Sequence, residues 1–268
     1  MDWRYGSPAM KFTSLARILI LPCLAFLATS LPAAVMISDT GTYSGNPPSS
    51  TFTIHTFGDI VNTDSAVFVF FASDANALNS ATYGGTAMTV VTPTNGRVAL
   101  AYLINPADNG ALILNAGLGS ASLEIGYWGV ASGINTGAIK TAAGTSFDLP
   151  SDLQINTTLP NLVNGDVVFS GFAINGDGAN GNVYGAPAGL ISYDGDASGF
   201  DAIIRRYDMA ADGGFSPTTA FTGVNTPNPA GASIAFTAVP EPSTCAAVFL
   251  GSLALLAVSR RRVATRFL

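Results

Sequence analysis

Apolar residues in this chain come in short bursts. Between Val35 and Val239 ten runs of five to nine β-branched, aromatic or small apolar residues alternate with clusters of Gly, Asn, Asp and Pro. The runs are Thr51–Thr56, Ser65–Ser73, Met88–Thr92, Val98–Ile104, Ala111–Asn115, Ser122–Val130, Leu153–Leu159, Val167–Ile174, Phe200–Tyr207 and Ala232–Ala238. Strand-length runs with regular turn signals predict an all-β fold, here a single antiparallel, jelly-roll-like β-sandwich. No window of ordinary helix length carries a 3.6-residue period. Ala66–Phe71 is apolar throughout, which predicts a central strand buried on both faces. Gly84-Gly85, Asn95-Gly96, Asn109-Gly110, Asn164-Gly165 and Asp212-Gly213-Gly214 punctuate the runs. Asn-Gly and Gly-Gly reach positive φ cheaply and suit tight hairpins.

The pattern changes at both ends. Lys11 and Arg17 precede an apolar run, Ile18–Leu27, that exits through Pro32-Ala33-Ala34. A basic start, a short apolar middle and a small-residue exit predict a secretory signal helix over 1–34, with the Sec machinery and signal peptidase as partners. The run is too short to span a bilayer core of about 30 Å. Cys23 follows Pro22, where a lipidated cysteine needs a small residue, so a lipoprotein is not expected. At the other end Pro240-Glu241-Pro242 precedes the apolar run Cys245–Val258, and Arg260, Arg261 and Arg262 close it. The prolines hold the chain extended, the form proteases bind. The 14 apolar residues give a helix of about 21 Å, short for a permanent anchor, with the arginines on the cytoplasmic side. The expectation is a short transmembrane helix that pauses in the inner membrane beside a cleavable motif.

Charge separates the same three regions. The chain holds 11 Lys+Arg and 17 Asp+Glu. Only Arg97, Lys140, Arg205 and Arg206 lie between Val35 and Val239, against fifteen acidic residues, a net charge of −11. So acidic a segment repels phosphate backbones, and no nucleic-acid partner is expected. Cys23 and Cys245 both lie in the terminal runs, so the middle has neither disulfide nor thiolate metal site. About 200 residues can supply a sufficient core without them.

The tail, with its Pro-Glu-Pro motif, apolar run and basic end in order over about Ala238–Arg262, resembles the PEP-CTERM sorting signal. That signal is also labelled an ice-binding-protein C-terminal domain. The resemblance implies a Gram-negative bacterium whose exosortase-type membrane protease cleaves near Pro240-Glu241-Pro242. It also implies delivery to the cell surface or beyond, and a link to exopolysaccharide and biofilm. The middle region, through Tyr83-Gly84-Gly85, Ala101–Pro106 and Tyr127-Trp128-Gly129-Val130, resembles a common secreted bacterial β-sandwich domain of unknown function. The resulting division is signal peptide 1–34, sandwich 35–237, sorting signal 238–262 and cytoplasmic tail 263–268.

No catalytic residue stands out. His55 is the only histidine and alternates with Ile54 and Thr56, which predicts a surface-facing strand position. Glu124, the only glutamate of the middle region, shares a strand face with Gly126 and Trp128, a carboxylate beside an indole that could contact carbohydrate. A glycosidase would pair that carboxylate with an Asp. Asn175–Asn182 and Asp194–Asp201 are acidic, Gly-rich segments. Asp194, Asp196 and Asp201 could hold calcium, but the position needing a bidentate Glu is Arg205, and turn chemistry explains the composition equally. The expectation is a non-enzymatic surface protein without a cofactor. A carbohydrate-binding module, calcium-assisted or not, stands second, and a polysaccharide-active hydrolase or lyase third.

Overall fold

Every residue of Ser65–Ser73 is buried in the computed structural model. A strand shielded on both faces needs one layer above it and another below. The structure describes residues 34–45, 49–60, 63–73, 77–94, 98–117, 124–144, 147–148, 152–154, 159–175, 183–185, 192–197, 200–222 and 230–239.

In chain order the first strands are β1 (Met36–Gly45), β2 (Thr51–Phe57), β3 (Ser65–Ser73), β4 (Leu78–Tyr83), β5 (Thr86–Ala87), β6 (Thr89–Val91), β7 (Val98–Ile104), β8 (Gly110–Ala116) and β9 (Glu124–Ser132). The middle strands are β10 (Lys140–Gly144), β11 (Phe147–Asp148), β12 (Asp152–Gln154), β13 (Leu159–Leu162), β14 (Val167–Asn175) and β15 (Val183–Gly185). The last are β16 (Ser192–Ala197), β17 (Phe200–Asp208), β18 (Gly213–Phe215), β19 (Thr218–Thr222) and β20 (Ala230–Phe236).

The central sheet has the order β1-β9-β3-β7-β6, with β3 in its middle. The front sheet is β2-β8-β4-β5 and the back sheet β10-β20-β14-β17-β16. Smaller sheets are β11-β12-β19-β15 and β13-β18. The strand pairings are antiparallel throughout the described residues. The central and front sheets are drawn only from residues 36–132, and the back sheet only from residues 140–236.

The two-residue pleat of β3 sorts its side chains into two cores. Phe68 and Phe70 pack with Phe169, Ile234 and Phe236 of the back sheet. Val67, Val69 and Phe71 pack with Leu112, Leu114 and Tyr83 of the front sheet. Each buried Phe or Val contributes about 1.5–3 kcal/mol of hydrophobic stabilisation. The layers close because glycine leaves room for rings. A Cβ on Gly171 would stand 2.6 Å from Phe70 Cδ1. A third, smaller core on the outer face of the back sheet joins Val168, Phe172 and Ala235 to Leu159 and Leu162. In that sheet Arg205 is fully buried and sits across the ladder from Ser170, whose Oγ lies 2.9 Å from Ser233 Oγ.

The sandwich predicted from the sequence is present, as an antiparallel all-β fold, with a third layer. Gly84-Gly85 forms the expected tight hairpin: φ is 54° and 82°, and Tyr83 pairs with Thr86. Asn109-Gly110 and Asn164-Gly165 do not make hairpins. Each instead carries the chain from one sheet to another, with positive φ at Asn109 and Gly165. Asn95-Gly96 lies outside the described residues.

Candidate functional site

The two ends of the sandwich meet at one corner. β9 ends at Ser132; Gly133, with φ of +69°, then turns the chain sharply, and Ile134 follows, fully buried. The Ile134 N–H donates to Asp64 O at 3.0 Å, and Ile134 forms a β-bridge with Ala238. The Asn135 N–H donates to Thr237 O at 2.7 Å, and the Val239 N–H donates to Gly133 O at 2.9 Å. Asn135 also caps a short 3-10 turn, Thr136–Ala138, accepting the Gly137 N–H on its side chain. The other end arrives beside it: the Ala34 carbonyl lies 3.4 Å from where a Gly133 Cβ would stand, and Val35 is buried in the same core as Ala238.

One cation reinforces the corner. Lys140 Nζ lies 3.4 Å from Thr237 Oγ1, as donor, and 3.6 Å from Asp166 Oδ2. Asp166 is fully buried, and its Oδ2 also accepts the Val163 N–H at 3.0 Å. A buried carboxylate needs such partners, since an unpaired charge there costs several kcal/mol. Nothing in the composition marks Gly133, Asn135 or Lys140 as a clasp. The Ser132-Gly133-Ile134-Asn135 stretch shortly after the Ser122–Val130 run is the one local signal.

Trp128 stands elsewhere than the carbohydrate reading needs. It is 7% exposed, part of the core between central and front sheets. Its ring is stacked by His55, centroids 4.9 Å apart, and a Cβ on Gly41 would stand 2.4 Å from its Cζ2. The pleat puts it on the Gly126 face as predicted, but that face is inside, because β9 is an inner strand. His55 is therefore only partly surface-facing. It stacks on Trp128 and meets Phe57 edge-on at 4.5 Å. Asp39 Oδ1 lies 3.2 Å from its Nε2, within ion-pair distance for a protonated ring but outside hydrogen-bond alignment. Asp39 reaches it from an irregularity in β1 between Ser38 and Gly41, with φ of 44°.

Glu124 begins β9, paired with Gly45 and Ser73; its side chain lies outside the described residues. In the Asp194–Asp201 segment, β16 pairs with β17, Asp196 with Asp201 and Ala197 with Phe200. Short-range ladder pairing of β16 with β17 overrode the turn-like composition. The side chains of Asp194, Asp196 and Asp201 lie outside the described residues, as do 176–182 of the other Gly-rich segment. The signal segment 1–33, Pro240, Glu241, Pro242, Arg260, Arg261 and Arg262 also lie outside them.

Residues 238–263 match the family model described as PEP-CTERM protein-sorting motif. No curated protein and no solved structure matches the chain. The chain thus carries a sorting motif of the exosortase-processed type, which marks it for export to the cell surface. Geometrically the motif starts on the sandwich: its first two residues, Ala238 and Val239, are the last of the compact unit Ala33–Val239.

Proposed function

We propose that this chain is a non-enzymatic β-sandwich released by an exosortase-type protease onto the cell surface or into the extracellular matrix, where it serves exopolysaccharide and biofilm structure. In this reading the Sec machinery exports it, signal peptidase removes 1–34, and the Cys245–Val258 run pauses in the inner membrane. One observation carries it. Val239 is hydrogen-bonded at the rim of the fold, and Pro240 is the next residue. Cleavage in Pro240-Glu241-Pro242 therefore frees a whole domain and removes none of the described strands. The scaffold role is supported by where the aromatics lie, since Trp128 and Tyr127 are spent on cores.

Motif and apolar run should fail differently. Replacing Pro240, Glu241 and Pro242 by Ala leaves the run and arginines intact, so uncleaved chain should accumulate in the inner membrane. Replacing Leu253 and Leu255 by Asp costs about 2.5–3.5 kcal/mol each at a helix centre, so uncleaved chain should appear in the periplasm. Fractionation and blotting of both variants reads this out. A triple-Ala variant reaching the surface at normal size and amount would exclude motif-directed cleavage.

A further inference from the structure

The sandwich has two ends, and register shows what lies at each. Met36 pairs with Ser132, Ser132 with Ser65, and Ala66 with Ile104, so Met36 and Ile104 share one end of the central sheet. The Ile134–Ala238 bridge joins that end to the end of the back sheet where Val167 pairs with Phe236. Val163 sits there too, on the turn held by Asp166. Among the described residues, the large apolar side chains left exposed are Met36 at 67%, Ile104 at 42% and Val163 at 40%. Singly exposed apolar side chains are ordinary. Three gathered at the end where Ala34 enters and Val239 leaves are a pattern.

Chain length says what faces that end. Between Val239 and the apolar run stand Pro240–Thr244, five residues. Fully extended they span about 18 Å. A run held in a bilayer thus keeps this end of the sandwich within that distance of the membrane. Exposed Asp64 and Asp212, the latter accepting the Asn164 N–H at 2.8 Å, lie at the same end. They resist entry into hydrocarbon and favour the headgroup level.

We propose that this end is a membrane-contact surface: Met36, Ile104 and Val163 rest on the lipid bilayer while the sorting tail holds the chain there. The proposal rests on the membrane-paused intermediate described above and adds an orientation of the sandwich toward the bilayer.

The test uses the full chain with Cys23→Ser and Cys245→Ser. Single variants Met36→Cys, Ile104→Cys, Val163→Cys and, at the opposite end, Ala77→Cys each carry a polarity-sensitive fluorophore. Reconstitution is into phosphatidylcholine vesicles holding a headgroup-level nitroxide lipid. All three near-end probes should shift to the blue and be quenched by the nitroxide, and the probe at 77 should do neither. Unchanged unfolding midpoints confirm that each variant folds. Chain that floats with vesicles while all four probes report water overturns the contact surface and leaves tail anchoring intact. Equal quenching at all four positions overturns the orientation. Chain that fails to float overturns the paused intermediate and the contact surface together.

Discussion

The imidazole of His55 lies over the indole of Trp128, planes 22° apart and centroids 4.9 Å apart. The stack closes one face of the indole, and Gly41 closes an edge. A sugar ring cannot use the face that His55 occupies.

The stack makes Trp128 a reporter of His55. With Trp3→Phe, Trp128 is the only indole in the chain. Its emission should change in intensity and maximum in a His55→Leu variant, which removes the ring stacked on the indole. Identical emission from the two chains would count against the stack.

Ser170 and Ser233 face each other across the back sheet in a buried hydroxyl pair. Ser170→Ala leaves Ser233 short of a partner and should cost about 1–3 kcal/mol. Ser170→Ala with Ser233→Ala should cost less than the two single changes summed. Urea unfolding of the four chains gives the coupling, and strict additivity would count against the bond.

Burial pushes the Tyr207 phenol up to about 12 from 10.0, against a smaller opposing pull from Arg205. The unfolded chain therefore loses this proton first. Stability from Tyr207 should be complete below pH 10 and decline as the pH rises towards 12. Tyr207→Phe should flatten that part of the stability curve, as read by unfolding midpoints across alkaline buffers. Tyr83 and Tyr127, also raised by burial, contribute in the same direction.

The domain's folding should owe nothing to thiols or metal. Its residues include no cysteine, and β16 pairs with β17 where a calcium loop was conceivable. Thermal unfolding should be unchanged by a chelator or a reductant. A drop of several degrees with chelator alone would restore calcium to the aspartate segments.

What could be read in advance followed burial. The uninterrupted Ala66–Phe71 run marked a doubly buried strand, and β3 is that strand, because only a central position hides both faces. Tyr83-Gly84-Gly85 marked a hairpin through a local rule, positive φ at both turn residues. β1 stayed hidden. It is an edge strand rich in Ser, Thr and Gly, and its pairing with β9 comes from partners almost ninety residues away. The site residues fared likewise. Period two put Trp128 beside Gly126, yet which face was inside depended on the front sheet. The corner at Gly133 depends on Asp64 and Val239, distant in sequence, and no local pattern announces it.

The division of the sheets by chain position has a consequence for the order of events during secretion. If the chain leaves the cytoplasm N-terminus first, as in the export proposed above, it delivers all of the central and front sheets before any of the back sheet. The core of Val67, Val69 and Phe71 can therefore close while residues beyond 132 are still on the inner side. The opposite face, with Phe68 and Phe70, must wait uncovered until Val167–Phe236 has crossed. That half-built stage exposes aromatic surface, the condition in which partly folded chains aggregate. The last strand to arrive, β20, ends the exposure, and only a few residues separate it from the apolar run Cys245–Val258.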